Sequence, residues 1–225
     1  MSKAKTPQLY SRKAPQQARS AELVGAILTA AVQVLDREGA ERFTMKRVAE
    51  RAGVSVGSLY QYFPNKAAIL FRLQCDEWRE TTGALLKILD DEGAPASERM
   101  RALVFAYIRS EVAEAPFREA LGEEAPGYRA LPEREQTQAE ALAALERFVD
   151  GLCPRAPTGE RALIREVIAT TLSSLGETFS RQPRTSGEVE AYAAVVAEML
   201  GVYTAHLDET RRVSGVRENL LGNKP

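Results

Sequence analysis

Two cysteines, Cys75 and Cys153, and a single histidine, His206, are all that this sequence of 225 residues offers toward thiol chemistry or soft-metal ligation. There is no CxxC pair, so the material for a zinc cluster is lacking and no metal is expected. So little cysteine fits a reducing cytosol, and a cytoplasmic location is the expectation. Apolar runs are short as well. The longest, Ala102–Ile108, is seven residues, against the ~18 that a membrane span requires, so no membrane partner is expected. The N-terminal Met-Ser-Lys-Ala-Lys-Thr-Pro carries charge with no apolar core behind it, which is not the pattern of a signal peptide. Alternating strand patterns, internal repeats and low-complexity tracts are also missing. No glycine-rich phosphate loop follows a strand and no Cys-His constellation exists, so an enzyme on a helical scaffold is the weaker alternative.

Charge is present but unevenly spread. Residues 1–75 hold 12 Lys/Arg against 5 Asp/Glu, a net +7, whereas the remaining residues hold 18 against 26, a net −8. A basic N-terminal module that meets phosphate, followed by an acidic body that does not, accounts for this asymmetry. Within the basic part, residues 1–19 contain Lys3, Lys5, Arg12, Lys13 and Arg19, no acid and few hydrophobes. They read as a flexible basic arm, which either tracks DNA or only keeps the chain soluble.

The spacing of apolar residues predicts an all-α chain. Ser20 caps a first helix in which Leu23, Ile27, Ala30, Ala31, Val34 and Leu35 recur at three and four residues until Gly39. Thr44 caps a short second helix through Ala52, Gly53 stops it, and Ser55 caps a third helix to about Tyr62. A fourth helix over 65–91, roughly 40 Å long at 1.5 Å per residue, leaves no flexible linker behind the basic module. Turn clusters then separate helices over 97–114, 116–121, 132–151, 159–181 and 188–210. The expected organisation is a basic arm over 1–19, a three-helix DNA-binding domain over 20–66, a larger helical effector-binding and dimerisation domain over 67–210, and a tail over 211–225.

Two short helices joined by Gly53-Val54-Ser55, with a longer helix before them, have the lengths and turn of a helix-turn-helix, whose second helix enters the DNA major groove. Val54, Leu59 and Phe63 are spaced to pack that helix on the other two. Opposite them lie Val56, Gly57, Ser58, Gln61 and the tyrosines Tyr60 and Tyr62, read as exposed. A β-branched methyl can touch thymine, a hydroxyl can serve a base edge or a phosphate, and a glycine lets backbone come close.

The stretch Phe43-Thr44-Met45-Lys46-Arg47-Val48-Ala49-Glu50-Arg51-Ala52-Gly53-Val54-Ser55-Val56-Gly57-Ser58-Leu59-Tyr60-Gln61-Tyr62-Phe63-Pro64-Asn65-Lys66 resembles the signature of the tetracycline-repressor (TetR) family, and the likeness extends back through the first helix to about Arg12. The resemblance implies a homodimeric repressor that binds a palindromic double-stranded operator and releases it on binding a small-molecule effector. Lys46, Val56, Gly57 and Ser58 would then face bases, and Thr44, Tyr60, Tyr62 and Lys66 would hold phosphates. Arg47, Ser55 and Gln61 complete the candidate DNA-binding set. Tyr62 stands where many members have histidine, and the third helix is poor in Arg, Asn and Gln, so DNA shape is expected to share in recognition. A constitutive DNA-binding protein with no effector would share the same N-terminus.

In the body, Ala102–Ile108 is apolar all round and is expected to be buried centrally. The resemblance implies a ligand cavity here, for which Trp78, Phe105, Tyr107, Phe117, Tyr128, Phe148 and Phe179 are candidate lining residues. The last two helices carry apolar stripes interleaved with small residues. Val167, Ser173, Leu175, Gly176, Tyr192, Val196, Leu200 and Tyr203 are the candidate dimer contacts, since small residues allow close helix approach.

Overall fold

The structure is a computed structural model and describes residues 8–11, 18–125 and 127–221, with backbone alone at Ala18, Arg19, Glu123 and 208–221. Among these residues there are eight α-helices, two short 3-10 turns (Ala40–Arg42 and Tyr128–Ala130) and no strand. The helices are α1 (Ala18–Glu38), α2 (Met45–Ala52), α3 (Val56–Tyr62), α4 (Lys66–Leu89), α5 (Ala96–Glu124), α6 (Pro132–Leu152), α7 (Thr158–Phe179) and α8 (Ser186–Leu221). No helix among them is long and apolar enough to cross a membrane.

The chain forms two compact units. The first takes residues to Trp78 together with Glu114–Glu135, and the second takes Arg79–Ala113 and everything from Gln136. The first unit therefore runs past Lys66 into α4 and also recruits the end of α5, because Phe117, Ala120, Leu121, Ala125 and Tyr128 are buried in the same core as Ile27, Val34, Phe43, Leu59 and Phe63.

That burial also explains why α5 is one helix and not two. Pro116 lies inside it and forfeits a backbone donor. The apolar residues that follow are buried, and the helix continues over them to Glu124. At the other end of the chain α8 remains helical to Leu221, through most of the stretch expected as a tail. Its start is fixed by a complete capping box. Glu188 accepts from the Thr185 backbone N–H and hydroxyl, each at 2.8 Å, while its own N–H reaches the Thr185 hydroxyl at 3.3 Å. Those bonds, the backbone one foremost, hold the Glu188 carboxyl below the usual carboxylate range.

Part of the expected arm is anchored. Leu9 is buried in the first core, the Tyr10 ring meets Phe71 edge-on at 5.8 Å, and Asn65 Nδ2 donates to the Gln8 carbonyl at 3.0 Å. A flexible arm over 1–19 is thus corrected at 8–11, where apolar burial holds the chain to α4. Lys3, Lys5, Arg12 and Lys13 lie outside the described residues.

In the second unit a core of Leu85, Met100, Val104, Ile108, Leu145, Phe148, Ile168 and Leu172 joins α4 to α8. Gly176 belongs to this core. A Cβ there would stand 2.8 Å from Glu111 Cγ and 3.1 Å from the Tyr107 ring, so the glycine serves the α5–α7 contact.

Candidate DNA-binding surface and its relatives

The surface is built by two caps and one left-handed glycine. The Thr44 hydroxyl accepts from the Arg47 N–H at 3.3 Å at the start of α2. Gly53, at φ +68°, turns the chain at the end of α2 in a conformation that costs a side chain dearly. Val54 N–H then closes back on the Ala49 carbonyl at 3.0 Å. At the start of α3 the Ser55 hydroxyl accepts from the Ser58 N–H at 3.0 Å and also bonds the Ser58 hydroxyl at 2.8 Å, which fixes that side chain at the helix entrance.

Helix α3 is short, so its two faces can be assigned residue by residue. Leu59, Tyr62 and Phe63, three and four apart, are buried in the first core, with Val54 partly buried against it. Val56, Gly57, Tyr60 and Gln61, also spaced by three and four, are exposed, and Ser58 lies half-buried between the faces. Two large apolar side chains, Val56 at 37% and Tyr60 at 41% exposure, thus stand in water on the helix expected to read DNA. Tyr62 is the correction. It is 8% exposed and forms part of the core, because its position three after Leu59 places it on the packing face.

Four cations on the helices next to α3 are partnered. Lys46 meets Glu50 one turn on at 3.8 Å, with both side chains well exposed, and Arg47 pairs with Glu38 at the end of α1. Arg51 donates to the Gln33 side chain at 2.7 Å and so ties α2 to α1. Lys66 Nζ lies 2.7 Å from Glu124 Oε1, at the last residue of α5. Thr44, Lys46, Glu50 and Arg51 line an open groove of about 570 Å³ together with Glu38 and Arg47.

Known families match most of this architecture. The family model for bacterial regulatory proteins of the tetR family matches residues 27–73, which span α2, α3 and parts of α1 and α4, and a second, for the tetracyclin repressor-like C-terminal domain, matches residues 95–207, half of the chain. The chain belongs to the TetR family. It is a DNA-binding transcriptional regulator, with α2 and α3 as its helix-turn-helix. Among proteins similar to this TetR-family chain is the HTH-type transcriptional repressor KstR of Rhodococcus jostii strain RHA1, 28% identical over 181 residues that cover 78% of this chain and 81% of KstR. The fold is shared with the fatty acid degradation regulator FadR of Bacillus halodurans, with TM-score 0.59, 20% identity and coverage of 84% of this chain and 96% of that one. It is shared too with FadR of Bacillus subtilis, solved in complex with stearoyl-CoA, with TM-score 0.56, 19% identity and coverage of 78% and 96%.

The aromatic residues expected around one ligand cavity divide between the two cores of this TetR-family chain. Trp78, Phe117 and Tyr128 lie in the first, where Trp78 stacks on Tyr128 at 6.1 Å. Phe148 and Phe179 are buried in the second, with Phe105 and Tyr107 half-buried against it. Phe179 stacks on Tyr192 at 4.0 Å. Local spacing cannot tell which core an aromatic joins, and a cavity common to all seven is what the resemblance implies.

The expected dimer residues divide in a similar way. Val167 and Ser173 are exposed on α7, but Gly176, Val196 and Leu200 are buried inside the second core, and Leu175, Tyr192 and Tyr203 pack against it. Val167 shares its exposed apolar face on α7 with Leu163, four residues before it, and α8 exposes Val195, Met199 and Val202, at spacings of four and three. The periodicity that picks out Val167 also carries the sequence signal for the other four, one face around from the buried Val196 and Leu200.

Proposed function

We propose that the chain acts as a homodimeric, effector-released repressor that places α3 in the major groove of a two-fold symmetric operator. The carrying observation is the exposed face of α3, where Val56, Gly57, Tyr60 and Gln61 share one side of a helix capped by Ser55. Val56 and Ser58 are assigned to base edges and Lys46, on α2, to the groove. Thr44, Tyr60 and Lys66 are assigned to phosphates, which position the protein without reading sequence. The exposed apolar face of α7 and α8 is assigned to the partner copy, since such a stripe on the last two helices is costly in water.

For the effector, a long-chain acyl thioester is the class we favour. Its support is the fold shared with a FadR solved in complex with stearoyl-CoA. Both cores are built of apolar and aromatic side chains, the kind of surface that such a chain requires. An effector acts only through its differential affinity for the free and DNA-bound forms. Stearoyl-CoA is therefore expected to release operator DNA, followed by fluorescence anisotropy, while coenzyme A alone does not. Operator retained at saturating stearoyl-CoA would remove the acyl class.

A further inference from the structure

Lys66 opens α4 and Glu124 closes α5. Each charge stands at the helix end where the helix dipole disfavours it: a cation at an N-terminus and an anion at a C-terminus. Helix stability therefore explains neither placement. What they satisfy is each other, at 2.7 Å, with each side chain about a third exposed. Next to Lys66, the Asn65 side chain caps the helix by accepting from the Ala68 N–H at 2.9 Å. An anionic oxygen held by an ammonium at the start of a helix is the arrangement a phosphate takes at such an end.

We infer that Glu124 sets the DNA affinity of this protein: its carboxylate occupies, on Lys66, the place of a DNA phosphate, and binding proceeds by exchange of one anion for the other. The inference rests on the phosphate role proposed for Lys66. It singles out this pair for two reasons. Lys46 and Glu50 are looser, at 3.8 Å, and far more exposed, so little is lost when they part. Arg47 and Glu38 both belong to the helices of the DNA-binding module, whereas Glu124 is brought in by a different helix, α5, so that its distance from Lys66 depends on where α5 ends. Glu124 neither reads a base nor holds a phosphate; it acts through Lys66.

The exchange has a signature in salt. A lysine that meets a phosphate releases one counterion from DNA, but the abandoned Glu124 recaptures a cation from solution and offsets it. Any duplex serves as probe, because a phosphate contact reads no sequence. Glu124→Gln is expected to tighten binding of the full-length protein to a non-specific duplex, on the order of fivefold at low salt, and to steepen the slope of log affinity against log salt by up to about one unit. The gain is expected to vanish in the Lys66→Ala background, with helicity and melting temperature nearly unchanged throughout. A Glu124→Gln variant with unaltered affinity and slope would overturn the inference. So would an equal gain in the Lys66→Ala background, which would mean that Glu124 repels DNA directly. Adding Lys66→Ala to the Glu124→Gln protein is expected to flatten the slope again by about one unit, and a slope that stays unchanged there would instead refute the phosphate role itself, and the exchange with it.

Discussion

Replacing Val195 and Met199 together by glutamate should convert the protein from dimer to monomer and weaken operator binding on the order of a hundredfold or more. The two side chains are 68% and 50% exposed and sit one turn apart on α8, in line with Val202, while Leu163 and Val167 form the matching stripe on α7. Four negative charges in the paired interface would repel across the two-fold axis and would have to be desolvated without partners. Neither position belongs to the buried core that holds Ala193, Val196, Ala197 and Leu200, so the monomer should remain folded. Operator affinity falls because the second half-site is no longer reached at the high effective concentration that a dimer provides. Sedimentation velocity and anisotropy on the same samples check the prediction. A variant that stays dimeric with wild-type affinity would show that this face is not the interface.

Gly57→Ala should separate stability from function in opposite directions. In α3 the glycine has no positive φ, and a Cβ built there would meet only the Ser55 hydroxyl oxygen, at 3.8 Å, an ordinary contact. The fold therefore gains nothing from the glycine and forgoes helix propensity, so alanine should stabilise by up to about 1 kcal/mol. What the missing Cβ does provide is close approach to whatever faces Val56, Gly57, Tyr60 and Gln61. A methyl group at that contact should weaken operator binding on the order of tenfold or more while raising the melting temperature. A stabilised variant that binds operator as the wild type does would place the DNA elsewhere.

The helix-turn-helix was legible because its signals are local. Thr44, Gly53 and Ser55 act within four residues of themselves, as caps and a turn, and the structure shows each in that geometry. At Tyr62 period outranks residue type: a tyrosine on this helix reads as exposed, but its place three after Leu59 puts it on the packing face. Pro116 misled for a related reason. A proline is a local break, and only the burial of Phe117, Ala120 and Leu121 reveals that the helix continues past it. The partner of Lys66 could not be read at all, because Glu124 lies at the far end of the next helix, and likewise nothing local says that Leu9 and Tyr10 are anchored to α4. Gly176 shows the limit of a small-residue argument. A small residue marks a close approach, but not whether the approaching helix belongs to the same chain or to another.

Selection from a random duplex library, followed by footprinting of the enriched sequence, tests the central claim most directly. The account predicts an inverted repeat whose half-sites present the major groove to the α3 helices of one dimer, with base preferences that shift when Val56 or Ser58 is changed to alanine. An enriched pool with no repeated motif, or a motif that both variants leave unchanged, would contradict the reading of operator sequence by α3.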